Sequence, residues 1–452
     1  MLKGMSVAGT TLGCKVNQAE TDSMLDMLKA AGANIVEFDE KADIYIVNTC
    51  SVTNIADKKS RQMLHRARKM NPDGIVIAAG CYVQSAREIL EQDEAIDIVI
   101  SNNKKKSITE IVNDYINVRN NEKNAPGKDH EAMEYFVDIS RETEYEEMGG
   151  HVPVGHTRAY VKIQDGCNQF CSYCIIPYVR GRIRSRSQEA ILAEVSELAE
   201  AGIKEVVLTG IHISSYGKDK NNEGALIELI EAISKIKGIK RIRLGSLEPG
   251  IITEEFVERI SSNSKVCPHF HLSLQSGCDS VLKRMNRKYT CEQYFEKCDM
   301  LRKAYKSPAL TTDVIVGFPG ETEEEFAETV RYLTELNLYE MHIFKYSPRK
   351  GTVAAAMKEQ VVPEIKNERS DVLLKLAHDN KTAYEAQFEG CELEVLVEEV
   401  VKKDNKTYLR GHTERYMDIL IDVGDISMPE SFVNSFVYVT YTQNGGNLPL
   451  LL

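Results

Sequence analysis

Short apolar runs alternate with amphipathic stretches through residues 1–117. Residues 7–12, 43–48, 75–79 and 96–101 read as strands. Residues 18–31, 54–70 and 84–92 read as helices, with Met24, Leu25 and Leu28 on one face and Met63, Leu64 and Ala67 on another. Repeated β-α units of this length predict an N-terminal doubly wound parallel sheet. Residues 118–157 are polar and weakly periodic and read as a linker. The alternation resumes at Arg158, with strands at 159–163, 205–209, 241–244, 269–274, 312–316 and 342–346 and helices at 188–201, 224–235, 254–261, 291–304 and 322–336. Six β-α units over 158–380 predict a central (β/α)6-type partial barrel, whose chemistry belongs on the loops after the strands' carboxyl ends. A helix near 364–389 leads into strands at 393–400, 407–411, 417–422 and 436–442. These make a small C-terminal β domain over 381–446.

A chain of 452 residues fits about three domains of ~150 residues each. With 42% hydrophobic and 27% charged residues, it forms cores and is not disordered. The longest uncharged stretch, residues 431–452, is interrupted throughout by Asn, Gln, Ser, Thr and Gly, so no membrane span is expected. The N-terminus lacks the apolar core of a signal peptide, and a cytoplasmic chain is expected. There are 68 acidic and 56 basic side chains, a net charge of −12. A nucleic-acid partner would therefore need a local basic patch.

Eleven cysteines in a chain without an export signal read better as metal ligands than as disulfides. Cys167, Cys171 and Cys174 form C-x3-C-x2-C directly after a predicted strand. Three thiolates this close can hold a 4Fe–4S cluster and leave one iron open. The alternatives are a zinc site or buried cysteines that happen to lie close, but structural zinc usually takes four ligands and no His or fourth Cys lies nearby. Cys14, Cys50 and Cys81 are 36 and 31 residues apart, a spacing without a metal signal. Each falls just beyond a predicted strand, however, so a parallel sheet would carry all three to its carboxyl edge. They are otherwise three ordinary loop cysteines. Cys267, Cys278, Cys291, Cys298 and Cys391 show no ligand pattern.

The C-x3-C-x-Tyr-C run, with Tyr173 in its aromatic slot, resembles the signature of the radical S-adenosylmethionine (SAM) enzymes. TLGCKVNQAE, VNTCSVTNIADKKSRQ and AAGCYVQ resemble the N-terminal domain of the methylthiotransferases, a branch of that superfamily. The resemblance continues through QDGCNQFCSYCIIPYVRGRIRSR, LTGIHISSYG, SLEP, HLSLQSGCDSVLKRMNRKY, TTDVIVGFPGET and FKYSPRKGT. VLVEE and GHTERY resemble a TRAM domain, a small RNA-binding β module. The family has three branches, acting on threonylcarbamoyl-adenosine in tRNA, on isopentenyl-adenosine in tRNA, or on a ribosomal-protein aspartate. LGCKVN, NTCSVT and LTGIH fit the first.

That resemblance implies two 4Fe–4S clusters and SAM. Cys167, Cys171 and Cys174 would hold the radical-generating cluster, and Cys14, Cys50 and Cys81 an auxiliary cluster that supplies sulfur. It implies SAM contacts at Tyr173, Thr209, Gly210, Gln275, Gly317 and Phe318, with Ser276 beside them. A methylthio group would be added to carbon 2 of threonylcarbamoyl-adenosine at tRNA position 37. Expected partners are a tRNA anticodon stem-loop, an electron donor of the flavodoxin or ferredoxin type and a sulfur source, with the enzyme a monomer. Arg180, Arg182, Arg184 and Arg186 follow one cysteine loop, and Lys58, Lys59, Arg61, Arg66, Arg68 and Lys69 follow another. Both runs are either solvated faces or phosphate contacts. The segment from Lys381 onward holds 12 acidic and 6 basic residues, so RNA binding there would need a local surface such as Arg410, His412 and Arg415.

Overall fold

The computed structural model describes residues 2–122, 133–149, 157–404, 406–424 and 428–443. The N-terminal unit is a six-stranded parallel sheet in the order β2-β1-β3-β4-β5-β6. Its strands are β1 (Ser6–Thr11), β2 (Asn34–Val36), β3 (Ile44–Thr49), β4 (Ile75–Gly80), β5 (Ile98–Ile100) and β6 (Met133–Tyr135). Both faces are covered, so successive residues of a strand enter different cores. Ile44 and Ile46 of β3, with Ile75 and Ile77 of β4, pack under the Lys15–Ala30 and Ile108–Glu122 helices. Tyr45 and Val47, with Val76 and Ala78, pack under the Asn54–Met70 helix through Leu64 and Ala67. Burial on both sides explains why these strands read as unbroken apolar runs.

Two features depart from the sequence reading. The helix over Ile108–Glu122 carries the N-terminal unit past residue 117. The stretch expected to be a linker supplies β6, which pairs in parallel with β5 through Ile98 and Met133. It also supplies Tyr145 and the buried Glu146, which pack at the junction with the next unit. A three-residue edge strand in a polar context carries too little periodicity to be seen.

The central unit holds β7 (Arg158–Asp165), β8 (Arg184–Ser185), β9 (Glu205–Gly210), β10 (Arg241–Leu244), β11 (His269–His271), β12 (Ala309–Val316) and β13 (Glu340–Lys345). Two sheets, ordered β10-β9-β7-β8 and β11-β12-β13, are joined by parallel bridges Ile242–Val266 and Leu247–Leu272. Six of these strands run parallel and β8 closes one edge antiparallel, so the barrel is partial, with β8 and β13 as its two rims. Val161, Ile163, Val206, Leu208 and Phe270 face the outer helices, leaving the alternate positions to the lumen. The predicted helices at 254–261 and 291–304 are matched residue for residue.

The long Pro363–Ala386 helix leads to an antiparallel sheet, β16-β15-β14-β17. It comprises β14 (Glu392–Lys403), β15 (Lys406–Thr413), β16 (Asp418–Asp422) and β17 (Phe436–Thr440). This sheet docks on the barrel's amino ends. Arg241 donates to the carbonyls of His412 and Glu394, and Arg243 to those of Glu414 and Thr413. No helix among the described residues is long and apolar enough to cross a membrane.

Candidate active site

The carboxyl edges of the two α/β units face each other, and a cysteine triad stands on each edge. Cys14 lies three residues past β1, and Cys50 and Cys81 directly follow β3 and β4. Gly13, at φ +103°, makes the turn into Cys14; a Cβ there would stand 2.7 Å from the Cys50 sulfur. Cys167, Cys171 and Cys174 occupy the loop after β7. Gly166, at φ +72°, precedes that loop, and a Cβ on it would overlap the Arg182 carbonyl at 1.8 Å. Cys81 packs against Ile175 and Val179, so the two cysteine loops touch.

All six cysteines are free thiols. Burial pushes Cys50 up to about 12, Cys167 to about 11 and Cys174 to about 12, and it raises Cys14 as well. The sulfurs of each triad lie within electrostatic reach of one another. Among the described residues the one trio of ligand atoms drawn within 4.8 Å is His271, Asp313 and His342. Three thiolates can hold a 4Fe–4S cluster and leave one iron open, whereas structural zinc usually takes four ligands. Binding would displace the thiol protons.

Each triad lays one guanidinium against one sulfur. Arg287 donates from Nη1 to Cys171 Sγ at 3.2 Å. Its Nη2 pairs with Glu248 at 3.1 Å, and Glu248 accepts from or pairs with His212 Nε2 at 2.7 Å. Tyr289 fixes the same corner by donating to the Ser273 and Leu274 carbonyls. On the other triad, Arg180 donates from Nε to Cys81 Sγ at 3.3 Å. The remaining donors of Arg180 reach Glu20 at 2.5 and 3.0 Å, Asp165 at 3.0 Å and Asn17 at 2.5 Å. Lys105 and Lys162 also pair with Glu20, and Lys162 with Asp165. Burial works against these carboxylates, but Arg180 and the lysines hold both well below the usual range. Arg180, Lys105, Lys162 and, at 3.9 Å, Arg184 thus surround Glu20 and Asp165 beside Cys81, and this surplus of positive charge would complement thiolate ligands.

This corrects the reading of the arginine run. Arg180, Arg184 and Arg186 are buried. Arg184 faces Asp165 at 3.9 Å, and Arg186 is clamped by Glu147 and Glu194. Only Arg182 is exposed, its guanidinium 4.4 Å from the Phe170 ring centroid. The strand β8 and the turn around it pull the other three inward. In the C-terminal sheet, Arg410 is paired with Asp418 and Glu399, and Arg415 donates to the Ser307 and Lys306 carbonyls of the barrel. Arg415 is a docking group here.

Thr209 and Gly210 end β9, Gln275 follows β11 at φ +79°, and Gly317 follows β12, all at the barrel's carboxyl edge with Cys167. Tyr173 packs at the margin of the cluster that holds Phe318. Phe318 itself is fully buried with its ring 5.6 Å from Tyr346, so its side chain packs in that cluster.

The sequence reading missed Glu20, Asp165, Arg287 and Glu248. It also missed Arg349, which ties the barrel to the N-terminal unit through Asp57 and Ser51. Glu248 and Arg287 lie inside the quoted motifs SLEP and HLSLQSGCDSVLKRMNRKY but have no spacing that points at a sulfur.

Residues 161–333 match the radical SAM superfamily, and residues 6–101 match a family described as "Uncharacterized protein family UPF0004". The chain is 40% identical over 416 residues to a Bacillus subtilis protein named threonylcarbamoyladenosine tRNA methylthiotransferase MtaB, covering 92% of this chain and 90% of that one. The chain belongs to the radical SAM methylthiotransferases. This methylthiotransferase is also 36% identical to a Thermoanaerobacter pseudethanolicus protein named tRNA-2-methylthio-N(6)-dimethylallyladenosine synthase, covering 96% of this chain and 90% of that one. In fold it is similar to the radical SAM methyltransferase TsrM from Kitasatospora setae, solved with cobalamin and a 4Fe–4S cluster (TM-score 0.56, 15% identity, 76% of this chain and 77% of that one). Radical SAM enzymes use a 4Fe–4S cluster and SAM, and methylthiotransferases carry a second cluster.

Proposed function

We propose that this enzyme adds a methylthio group to carbon 2 of threonylcarbamoyl-adenosine at position 37 of tRNA. The observation that carries the reading is the pair of cysteine triads on facing carboxyl edges, each with a guanidinium on one sulfur. The higher identity to the B. subtilis relative than to the isopentenyl-type relative favours this substrate. Cys167, Cys171 and Cys174 would hold the radical SAM cluster, and Cys14, Cys50 and Cys81 the auxiliary one. When bound, these groups and SAM supply the radical that takes hydrogen from carbon 2 and the sulfur that replaces it.

The chain's own residues orient and enclose. Arg287, braced by Glu248 and His212, fixes Cys171, and Arg180, braced by Glu20 and Asp165, fixes Cys81. Thr209, Gly210, Gln275 and Gly317 form the edge available to SAM. Arg182, Lys58, Lys59, Arg61 and Lys69 are among the exposed cations that would meet the anticodon stem-loop. The C-terminal sheet is a TRAM-like module whose face toward RNA includes Arg410. Electrons come from a flavodoxin- or ferredoxin-type donor, sulfur from a separate source, and the enzyme acts as a cytoplasmic monomer.

The test is anaerobic. The protein is reconstituted with iron and sulfide and given SAM, a reductant and two tRNAs, one with threonylcarbamoyl-adenosine and one with isopentenyl-adenosine. A methylthio mass increase on the first nucleoside alone is expected. An increase on the second alone overturns the substrate. Neither, with deoxyadenosine still released, points to the ribosomal-protein branch.

A further inference from the structure

A cavity of about 610 Å³ lies between the Lys15–Ala30 helix, β7 and residues 145–149, and Cys14 is in its wall. That volume admits a nucleoside-sized group. Its acids already have partners. Glu20 holds Arg180, Lys105 and Lys162, and Glu147 and Glu194 hold Arg186. Asp22 accepts from Gln18, Glu146 from the Lys106 amide, and Glu398 faces His412 and Arg158.

Lys15 is the exception. It directly follows Cys14 at the start of its helix, and no side chain caps that helix's free amides. Its Nζ lies 5.6 Å from the Tyr160 ring centroid and 5.8 Å from that of Tyr416, with no carboxylate in ion-pair range among the described residues. Beside it, Arg158 lies 5.0 Å from the same Tyr416 ring, its Nη1 3.4 Å from Glu398 in an ion pair that makes no hydrogen bond. Arg243 lies 4.8 Å from that ring but is saturated by Glu205 and two carbonyls. Three cations thus converge on one tyrosine where all three units meet, and one of them has no counter-ion. Burial and the charges of Arg243, His271, Lys15 and His342 push the His269 imidazole well below its usual range.

We propose that Lys15, helped by Arg158, pairs with the carboxylate of the substrate's N6 side chain and so sets the choice of threonylcarbamoyl- over isopentenyl-adenosine. The inference rests on the function proposed above. N6 is the exocyclic nitrogen on carbon 6, one ring atom removed from carbon 2, so a base whose carbon 2 met a sulfur held near Cys14 would carry its N6 side chain toward the cavity that Cys14 and Lys15 both line. An isopentenyl group has no charge to offer there, whereas the threonyl group ends in a carboxylate. A charge-assisted bond of this kind adds geometric selection as well as affinity.

The test uses the reconstituted full chain as wild type, Lys15→Gln and Lys15→Arg. Anticodon stem-loops carry adenosine, threonylcarbamoyl-adenosine or its methyl ester at the target position, and affinities are read by fluorescence anisotropy. Wild type should prefer the free acid over the ester by at least about tenfold. Lys15→Gln should lose that preference while binding the unmodified stem-loop as wild type does, and Lys15→Arg should restore most of it. Equal weakening of all three stem-loops would identify a phosphate contact and overturn the assignment, as would undiminished acid-over-ester preference in Lys15→Gln. A wild type that methylthiolates isopentenyl-adenosine alone overturns the underlying substrate reading, a result distinct from either.

Discussion

Replacing Arg180 by Met tests whether the cysteine-loop arginines are structural. The guanidinium is fully buried and serves Glu20, Asp165, Asn17 and Cys81 at once. Methionine fills similar volume but leaves both carboxylates short of a partner. Breaking a buried pair from one side costs about 3–5 kcal/mol. Lys105 and Lys162 remain on Glu20, so the lower end applies, about 3 kcal/mol. For a unit of this size that is a fall in melting temperature of roughly 10 °C. Calorimetry of the cluster-free protein reads this directly.

A second readout separates the site from the fold. In a chain with Cys167, Cys171 and Cys174 all changed to Ala, iron bound after reconstitution reports only Cys14, Cys50 and Cys81. Arg180→Met should lower it, and Arg180→Lys, which keeps the charge but not the fork, should recover stability better than iron. An Arg180→Met protein with wild-type melting and iron content, but with weaker and less salt-dependent tRNA binding, would refute this and return Arg180 to the RNA surface.

Three further outcomes are expected. Cys171→Ala should abolish deoxyadenosine formation from SAM, measured by chromatography, since it removes a cluster ligand and the Arg287 contact together. Cys50→Ala should still release deoxyadenosine but yield no methylthio nucleoside by mass spectrometry. In the cluster-free protein, Glu20 and Asp165 titrate below their unfolded values, so their stabilisation is complete above the usual carboxylate range and is lost as the pH falls through it. The melting temperature should therefore drop steeply below about pH 4, and Glu20→Gln should flatten that drop.

Both triads were readable because cysteine position could be referred to strand ends, and strand ends follow from apolar periodicity. Cys14, Cys50 and Cys81 have no local spacing, yet a parallel sheet brings its carboxyl ends together whatever the length between them. Charge has no such rule. Arg180, Arg182, Arg184 and Arg186 look alike as a run, but β8 and the turn before it bury three of them and expose one. The partner that decides Arg180's role, Glu20, is 160 residues away on a helix of the other unit. Short, polar β6 was hidden for a related reason: three residues do not make a period, and the pairing partner in β5 supplies the order.

These placements also tie the two sites together. Arg180 belongs to the loop that carries Cys167, Cys171 and Cys174, yet its Nε rests on Cys81 of the other triad. Asn102 of the N-terminal unit returns the contact by donating to the Val179 carbonyl at 2.7 Å. Arg349, from the loop after β13, grips Asp57 and Ser51 beside Cys50. The N-terminal edge is therefore held at both rims of the open barrel, and its geometry depends on barrel residues at each. A methylthiolation needs its radical source and its sulfur on the same base. Here that alignment is fixed by buried ion pairs between the units, whose disruption leaves charges without partners.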